Sequence, residues 1–277
     1  MLDLKKIAKK LILILPKKLQ SILQRIWIIR RYYKKTFNLS LDWIFHGQED
    51  SNFNYSLTES NLRQLAHLLS LVTNTDVQEI YGFFEEILND VSVKDILRTK
   101  KQSRHENEVG LGRRIGWYAL VRALKPKLTV ETGVDEGIGA VIICKALSKN
   151  HQEGFNGTYL GTEIRSNAGK YFTKEYAKYG KIQYGDSVES LKMITNEIDV
   201  FINDSDHDPV YELLEYETVV SKMSINGFML SDNSHATDVL IEFSEKYNRK
   251  FVFFKESPKG HWYPGAGIGI SLREIFH

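Results

Sequence analysis

Two patterns of apolar residues divide the chain. From Lys127 to Arg273, short runs rich in β-branched and aromatic residues alternate with runs in which apolar residues recur every three or four positions. The short runs are KLTVETG, GTYLGTEI, KIQYGD, IDVFIND, GFMLSDN, KFVFFKE and GIGISLRE. Such alternation is typical of β-strands joined by α-helices in a parallel sheet.

The connections between these runs predict the order of pairing. Helical patterns follow the first five runs, for example AVIICKALSK, AGKYFTKEYAKY and PVYELLEYETVVSKM. The last two runs are joined only by SPKGHWYPGA, which is too short for a crossover helix, so they pair as an antiparallel hairpin. We therefore predict an α/β fold with a doubly wound, seven-stranded sheet of five parallel strands and a terminal antiparallel hairpin.

Helical patterns occupy the chain before the sheet. Residues 56–100 contain LTESNLRQLAHLLSLV, DVQEIYGFFEEILND and VSVKDILR, whose starts are marked by Ser, Thr, Asp and Asn. Further upstream, helical spacing links Leu19, Ile22, Leu23, Ile26 and Ile29. We predict a basic amphipathic N-terminal helical segment at 1–45, an accessory helical layer at 46–104, and the domain that contains the sheet at 105–277.

Charge separates the N-terminal segment from the rest. Residues 1–40 contain eleven Lys or Arg and one acid, a net charge of +10, whereas the whole chain carries +2. A basic amphipathic helix suits an anionic membrane surface, and it suits equally well packing of its apolar face on the main domain or on a second subunit in a homo-oligomer. We expect a cytoplasmic protein, peripheral at the inner face of the membrane in the first case, and no nucleic-acid partner.

The remaining composition excludes several classes of protein. Cys144 is the only cysteine, which excludes a disulfide framework and a thiolate metal site and agrees with a reducing compartment. No run reaches the roughly 18 uncharged apolar residues that span a bilayer. The LILIL run before Pro16 is shorter than the core of a signal peptide, and no small-residue cleavage site follows it.

Acidic residues end each of the first five predicted strands. The carboxyl ends of parallel strands meet at one edge of a sheet, where ligands bind in open α/β folds. The residues at these ends are Glu131, Glu163, Asp186, Asp204 and the pair Asp232–Asn233. Any single one is explained by capping of the following helix. Five at one edge indicate a ligand site.

The loop after the first strand, ETGVDEGIG (131–139), indicates the kind of ligand. Its glycines permit a close approach of the backbone to a ligand, but their spacing is G-x-x-x-G-x-G and differs from the dinucleotide motif. The acids of the loop favour a cationic group over a pyrophosphate. Glu163 is placed to accept hydrogen bonds from ribose hydroxyls, and Asp186 to meet the nucleobase. Ribose, base and a positively charged tail together describe S-adenosylmethionine.

The motifs VETGVDEGIG, YLGTEI, YGDS, DVFINDSDH and GFMLSDN resemble, in order and spacing, those of class I S-adenosylmethionine-dependent methyltransferases. The resemblance covers about Gly110 to Arg273 and implies a Rossmann-like fold with S-adenosylmethionine as the cofactor. It implies cofactor contacts at Glu131, Gly133, Gly137, Glu163, Asp186 and Asp204. The commoner form of the family has a glycine where Asp135 stands.

Within that class, FINDSDHD (201–208) and SDN resemble the divalent-metal-dependent O-methyltransferases of the catechol and caffeoyl-coenzyme A type. In those enzymes an aspartate ends strand four and an Asp-Asn pair ends strand five, and together they bind the metal. The matching residues are Asp204, Asp232 and Asn233, so the resemblance implies Mg²⁺ or a similar ion. A dication would also offset the repulsion among the crowded carboxylates.

His207 stands where the catechol-type enzymes carry a basic lysine, three residues after the strand-four aspartate. Histidine at this position resembles the macrolide-sugar O-methyltransferases and the cephalosporin-hydroxylase-like group. We predict that His207 is the general base in methyl transfer to a hydroxyl of a sugar, glycan or related small molecule. His105, Arg113, Arg114, His235 and the HWYPGAG loop (261–267) are further candidates for the rim of the site.

Two other functions remain open at this stage. An NAD-dependent oxidoreductase shares the sheet, although the glycine spacing and the acidic loop argue against it. A non-catalytic binding protein with the same fold is the second alternative, against which the acids at every strand end argue.

Overall fold

Seven strands form one mixed sheet in the computed structural model, which describes residues 15–46, 54–100 and 110–273. The strands are β1 (Leu128–Thr132), β2 (Thr158–Glu163), β3 (Gly180–Tyr184), β4 (Ile198–Asn203), β5 (Met223–Ser231), β6 (Lys250–Lys255) and β7 (Gly267–Leu272). Their order across the sheet is β3-β2-β1-β4-β5-β7-β6.

Pairing confirms the predicted architecture. β1 to β5 are parallel, and β7 runs antiparallel between β5 and β6. Thr132 at the end of β1 is in register with Thr162 of β2 and Asn203 of β4, so the carboxyl ends of the central strands are level. The strand order reverses between β1 and β4, which is where a doubly wound sheet opens a binding crevice.

The described residues contain nine α-helices. These are α1 (Lys17–His46), α2 (Glu59–Thr73), α3 (Val77–Leu88), α4 (Val91–Arg98), α5 (Arg114–Leu124), α6 (Ile138–Gln152), α7 (Ser187–Lys192), α8 (Pro209–Val219) and α9 (Val239–Lys246). The side chains of Thr58, Asp76 and Asp90 accept hydrogen bonds from the first turns of α2, α3 and α4. These N-caps are the polar starts that the sequence pattern indicates.

The helices cover both faces of the sheet. Alternate residues of β4 point to opposite faces: Val200 and Ile202 join the apolar cluster that includes α2 to α6, whereas Phe201 joins the cluster with α7, α8 and α9. The accessory helices α2 to α4 therefore share a core with α5 and α6. Trp117 and Tyr118 of α5 are fully buried at the centre of that layer.

The connection from β2 to β3 is not the helix that AGKYFTKEYAKY (168–179) predicts, because this segment forms a series of turns. Gly169 has a φ of +82°, and its N–H donates to the carbonyl oxygen of Asp135 at 2.6 Å. The N–H of Tyr171 donates to the carbonyl oxygen of Glu136 at 2.9 Å. Backbone donors that a helix would use internally are thus bonded to the loop after β1, and the prediction was wrong for that reason.

Helix α1 is the predicted amphipathic segment, and none of its residues is buried. Near its C-terminal end the rings of Trp43 and Trp262 lie 4.7 Å apart, which connects the helix to the loop before β7. No helix in the described parts of the chain has the length and apolarity to cross a membrane. Residues 11–14 of the LILIL run, His105 and the predicted boundary near residue 105 lie outside the described residues. The boundary near residue 46 lies where α1 ends.

Candidate active site

A cavity of about 940 Å³ opens at the carboxyl edge of the sheet. Each of the five parallel strands contributes a residue at or just after its end: Gly133, Glu163, Asp186, Asp204 and Asp232. This volume lies at the upper end of the range for small-molecule sites. The cavity therefore has room for a cofactor and a second small molecule.

Carboxylates outnumber cations along the cavity wall. The carboxylates are those of Asp135, Glu163, Asp186, Asp204, Asp206 and Asp232, and the guanidinium groups are those of Arg113, Arg114 and Arg165. The net charge of these walls is negative when the histidines are neutral. A positively charged or neutral ligand suits such a cavity better than an anion does.

The loops after β1 and β4 touch at the floor of the cavity. Gly133 has a φ of +83°, and a β-carbon there would overlap the carbonyl oxygen of Asp204. The N–H of Gly133 donates to Thr162 O at 2.9 Å, and that of Asp204 donates to Thr132 O at 3.0 Å. Hydrogen bonds between strands thus continue past the strand ends, and only glycine fits at position 133.

Asp135 occupies the position at which the commoner family form has glycine. Its φ is +49°, in the left-handed region that glycine adopts freely and aspartate tolerates better than most residues. Its N–H donates to Glu163 Oε2 at 2.7 Å, and its carboxylate accepts from Arg165 Nη2 at 2.6 Å. The substitution therefore keeps the loop conformation and adds an ion pair at the rim.

Glu163 and Asp186 are held as carboxylates on the wall of the cavity. Burial raises the pKa of Glu163, but hydrogen bonds from Arg165 and from the N–H of Asp135 outweigh it and lower this pKa overall. Asp186 caps α7 by accepting from the N–H of Glu189 at 2.9 Å, and this bond is the main cause of its lowered pKa. Both side chains line the cavity, as the sequence predicts.

Glu131 and Gly137 do not line the cavity, unlike the other predicted cofactor-binding residues. Glu131 is 1% exposed, accepts a hydrogen bond from the hydroxyl of Tyr159, and lies against Gly139 behind the loop. Burial raises the pKa of Glu131 to about 8. Gly137 has a φ of +93° at the N-terminus of α6. The structure places these two residues where they support the loop from behind.

Sequence reasoning missed Glu215, a fully buried carboxylate beneath the floor. It accepts hydrogen bonds from Thr132 at the end of β1, from Ser205 after β4, and from Ser187 and Asn203. Burial raises its pKa, and the hydroxyl donors oppose the rise. The only signal in the sequence is a glutamate on the apolar side of PVYELLEYETVV, where Tyr216 and Val219 are also buried.

His207 lines the cavity and is oriented by Asn233. Its Nδ1 lies within hydrogen-bonding distance of Asn233 Oδ1, and Asn233 Nδ2 faces the carbonyl oxygen of Asp206 and the side-chain oxygen of Asn203, each at 3.4 Å. An amide oxygen only accepts, so Nδ1 carries the proton of the neutral ring. Nε2 is then the basic nitrogen, as a general base requires.

Arg113 lies between the aspartates that follow β4 and β5. Its Nε forms an ion pair with Asp232 Oδ1, and its Nη2 lies 3.9 Å from Asp204 Oδ1. The side chain is 13% exposed and stands against the ring of Trp117. Burial raises the pKa of Asp204, and the charges of Arg113 and Arg114 oppose this rise.

The predicted metal ligands do not fit a bound Mg²⁺ in this arrangement. Asp232 is paired with Arg113, and the side-chain oxygen of Asn233 is used by His207. An ion bound by Asp204 and Asp232 would share its ligands with a guanidinium group. Within the described residues, no group of three or more His, Cys, Asp and Glu is placed to hold a metal.

The remaining residues that the sequence places at the rim differ in whether they line the cavity. His235 and Tyr263 of the HWYPGAG loop line the cavity, and His235 Nδ1 donates to the carbonyl oxygen of Asp232 at 3.0 Å. Burial is the main cause of the lowered pKa of His235. Trp262 of the same loop is turned to Trp43 of α1 instead.

The order of the seven strands is that of the Rossmann-like methyltransferase fold, which the motifs also predict. Residues 130–234 match a family model described as a methyltransferase domain. This part of the chain is therefore similar to a methyltransferase domain.

Solved structures with the same fold include a proposed O-methyltransferase from Klebsiella pneumoniae, with a TM-score of 0.50 and 14% identity over 76% of this chain and all of that one. A proposed caffeoyl-CoA O-methyltransferase from Staphylococcus aureus has a TM-score of 0.50 and 13% identity over 72% of this chain and all of that one. Identities this low establish the shared fold alone. No curated protein sequence matches the chain.

The buried Glu131 predicts a dependence of stability on pH. Its pKa of about 8 in the folded protein lies above the ordinary value of 4.5, so the folded state holds a proton that the unfolded state releases between these values. Stability should fall as pH rises through this window, by at most about 1.4 kcal/mol per pH unit. In Glu131→Gln this loss of stability disappears. The free energy of unfolding measured with urea should therefore rise for the variant relative to the wild type as the pH approaches 8.

Glu189→Gln is the matched control for this experiment, because the Glu189 side chain is 67% exposed and the substitution removes the same charge. Its unfolding free energy should follow that of the wild type with pH. Parallel pH profiles for the wild type and Glu131→Gln would contradict the prediction.

Proposed function

We propose that the protein is an S-adenosylmethionine-dependent O-methyltransferase. The observation that carries this proposal is one cavity that is lined by Gly133, Glu163 and Asp186 and also by Asp204 and His207. A cofactor held by the first three residues would share the cavity with an acceptor at His207. Methyl transfer requires such an arrangement, since donor and acceptor must meet in line.

The electrostatics of the cavity support the cofactor assignment. S-adenosylmethionine carries a positive sulfonium and an ammonium group, and the wall carries more carboxylates than cations. The ionised Glu163 offers oxygen acceptors for ribose hydroxyls, and Asp186, which lines the same cavity, offers them for the adenine end. A nicotinamide dinucleotide would instead bring a pyrophosphate to the acidic loop after β1.

His207 supports an O-directed reaction. In the proposed step, His207 Nε2 removes the proton of an acceptor hydroxyl, and the oxygen forms a bond to the sulfonium methyl carbon as the carbon–sulfur bond breaks. The products are a methyl ether, S-adenosylhomocysteine and a proton held on His207. Asn233 keeps the ring in the required tautomer. Because the sulfonium is already a good leaving group, positioning supplies most of the rate enhancement.

A neutral polyol fits the acceptor side best. Tyr263 provides aromatic surface in the cavity, while Asp206 and His235 provide polar groups. Sugars are recognised by such combinations, with an apolar ring face on aromatic surface and hydroxyls on carboxylates. We therefore propose a sugar, glycan or related small molecule as the acceptor. The Mg²⁺ expected from the resemblance is not part of this step, because Arg113 is paired with Asp232.

Calorimetric titration of the full-length protein tests the cofactor assignment. S-adenosylmethionine should bind, and NAD⁺ should give no heat, with Mg²⁺ or with a chelator present. Glu163→Gln should weaken S-adenosylmethionine binding by about ten- to a hundredfold, since a hydrogen bond to a charged group is lost. The exposed Glu189→Gln serves as the control and should bind as the wild type does. Absence of heat with S-adenosylmethionine would favour the non-catalytic binding protein, and heat with NAD⁺ alone the oxidoreductase.

Transfer of a radiolabelled methyl group to a panel of sugars and polyols tests the role of His207. His207→Gln should lower the rate by about 10²–10⁴-fold, the usual contribution of a general base, and leave S-adenosylmethionine binding unchanged. His67→Gln is the matched control, because His67 is exposed on α2 and does not line the cavity. A wild-type rate in His207→Gln, or an equal loss in His67→Gln, would remove His207 from this role.

We also propose that α1 binds an anionic membrane surface on the cytoplasmic side. None of its residues is buried, and Trp27, Ile29 and Phe37 are about 60% exposed. Its cations are Lys17, Lys18, Arg25, Arg30, Arg31, Lys34 and Lys35, and Asp42 is its only acid. Exposed apolar and cationic side chains on one helix suit the boundary between lipid headgroups and acyl chains. The Trp43–Trp262 contact would bring a lipid-linked acceptor close to the cavity mouth.

Co-sedimentation of the full-length protein with vesicles tests this surface. The protein should pellet with vesicles that contain phosphatidylglycerol and remain in solution with pure phosphatidylcholine. Arg30→Gln/Arg31→Gln should reduce pelleting, since each cation near an anionic surface contributes about 1 kcal/mol. Lys192→Gln/Lys246→Gln, on exposed side chains of α7 and α9, is the control of equal charge change. Pelleting by a chain that lacks residues 1–40, or a stable dimer through α1 without vesicles, would contradict the proposal.

A further inference from the structure

The aspartates after β4 and β5 require a positive charge close to them. The side chains of Asp204 and Asp232 are only 15% and 6% exposed, and both line the cavity. Two carboxylates that are this well shielded from water repel each other and lose hydration, so both are stable in the ionised form only beside a cation. A divalent ion and a cationic side chain are the two ways to supply it.

The chain supplies a cationic side chain at this place. The Nε of Arg113 pairs with Asp232, and its Nη2 faces Asp204. Arg113 precedes the first turn of α5, where its carbonyl oxygen accepts from the N–H of Gly116 at 2.8 Å. Trp117 of α5 is 1% exposed, and its ring lies beside the guanidinium group of Arg113. The cation is therefore held by a buried helix.

The third predicted metal ligand is also engaged by the chain. Asn233 is 1% exposed, and its side-chain oxygen is the partner of His207 Nδ1. An ion that recruited this oxygen would break the contact that fixes the tautomer of His207. It would also have to displace Arg113 from Asp232, because two cations cannot occupy one ligand set.

We propose that Arg113 takes the place of the divalent cation in this protein, and that the guanidinium group stabilises the negative charge that develops on the acceptor oxygen. This extends the proposed function, on which the second part rests. Arg113 and His207 line the same cavity, so the guanidinium group is available to the oxygen that becomes negative as His207 takes the proton. Arginine suits this role, because its charge is permanent and its five donors bind several oxygens at fixed angles.

Binding of Mn²⁺, followed by electron paramagnetic resonance, tests the replacement without any acceptor. The full-length wild type should leave the free Mn²⁺ signal unchanged. Arg113→Met removes the charge, keeps much of the apolar stem, and should bind one Mn²⁺ ion. In Arg113→Met/Asp232→Asn the affinity should fall by more than about tenfold, because a ligand is lost. Arg113→Lys, which keeps a cation, should resemble the wild type.

Arg165→Met is the matched control, since Arg165 is another guanidinium group on the cavity wall that pairs with Asp135 and Glu163. It should not create Mn²⁺ binding that depends on Asp232. Stoichiometric Mn²⁺ binding by the wild type that is lost in Asp232→Asn would overturn the proposal, even if Arg113→Met does not fold. A folded Arg113→Met that binds no Mn²⁺ would also overturn it.

The catalytic part has a separate readout. Methyl transfer by the wild type should change by less than about twofold when a chelator is added, whereas Arg113→Lys should lose about 10²–10³-fold in kcat with S-adenosylmethionine binding retained. Rescue of Arg113→Met, but not of the wild type, by added Mg²⁺ would support the exchange of one cation for the other. If no acceptor is methylated, the proposed function fails while the Mn²⁺ result still decides the replacement.

Discussion

The structure at the carboxyl edge of this sheet depends on how each buried carboxylate is paired with a cation or with hydrogen-bond donors. Parallel strands bring their ends to one edge, and here the ends carry acids, so each carboxylate needs a cation or hydrogen-bond donors. Arg165 pairs with Glu163, and Arg113 with Asp232. Glu215 has neutral donors only, from the ends of β1 and β4 and the start of α7. These partners hold together loops that otherwise have no reason to meet, and the cavity is the space between them.

The surroundings of each acid determine whether its pKa is lowered or raised. Glu163 and Asp186 receive backbone or guanidinium donors, which lower their pKa values and keep them as ionised acceptors on the cavity wall. Glu131 and Glu215 are buried behind the wall, and burial raises their pKa values. Burial also raises the pKa of Asp204 on the cavity wall, so the donors around each acid, rather than residue type, decide how readily it stays ionised.

The sequence predicts features that depend on neighbouring residues and misses those that depend on distant ones. Strand periods and connection lengths identify all seven strands and the terminal hairpin, since both are local properties. The expected helix at 168–179 fails because its backbone donors bond to a loop more than thirty residues upstream. Glu215 carries no motif, and its burial follows from the packing of α8 on the sheet. Four of the six predicted cofactor residues line the cavity, and the other two, Glu131 and Gly137, lie behind it.

The strand-end motifs specify only the anionic half of the site. Asp204, Asp232 and Asn233 resemble a metal-binding set because of their order and spacing just after β4 and β5. The cation that completes the set does not come from the strand ends. Arg113 reaches it from α5, upstream of β1, and no spacing between Arg113 and the acids could reveal the contact. The acids at the strand ends therefore leave the identity of the cation open, and in this structure the side chain that lies against them is that of Arg113.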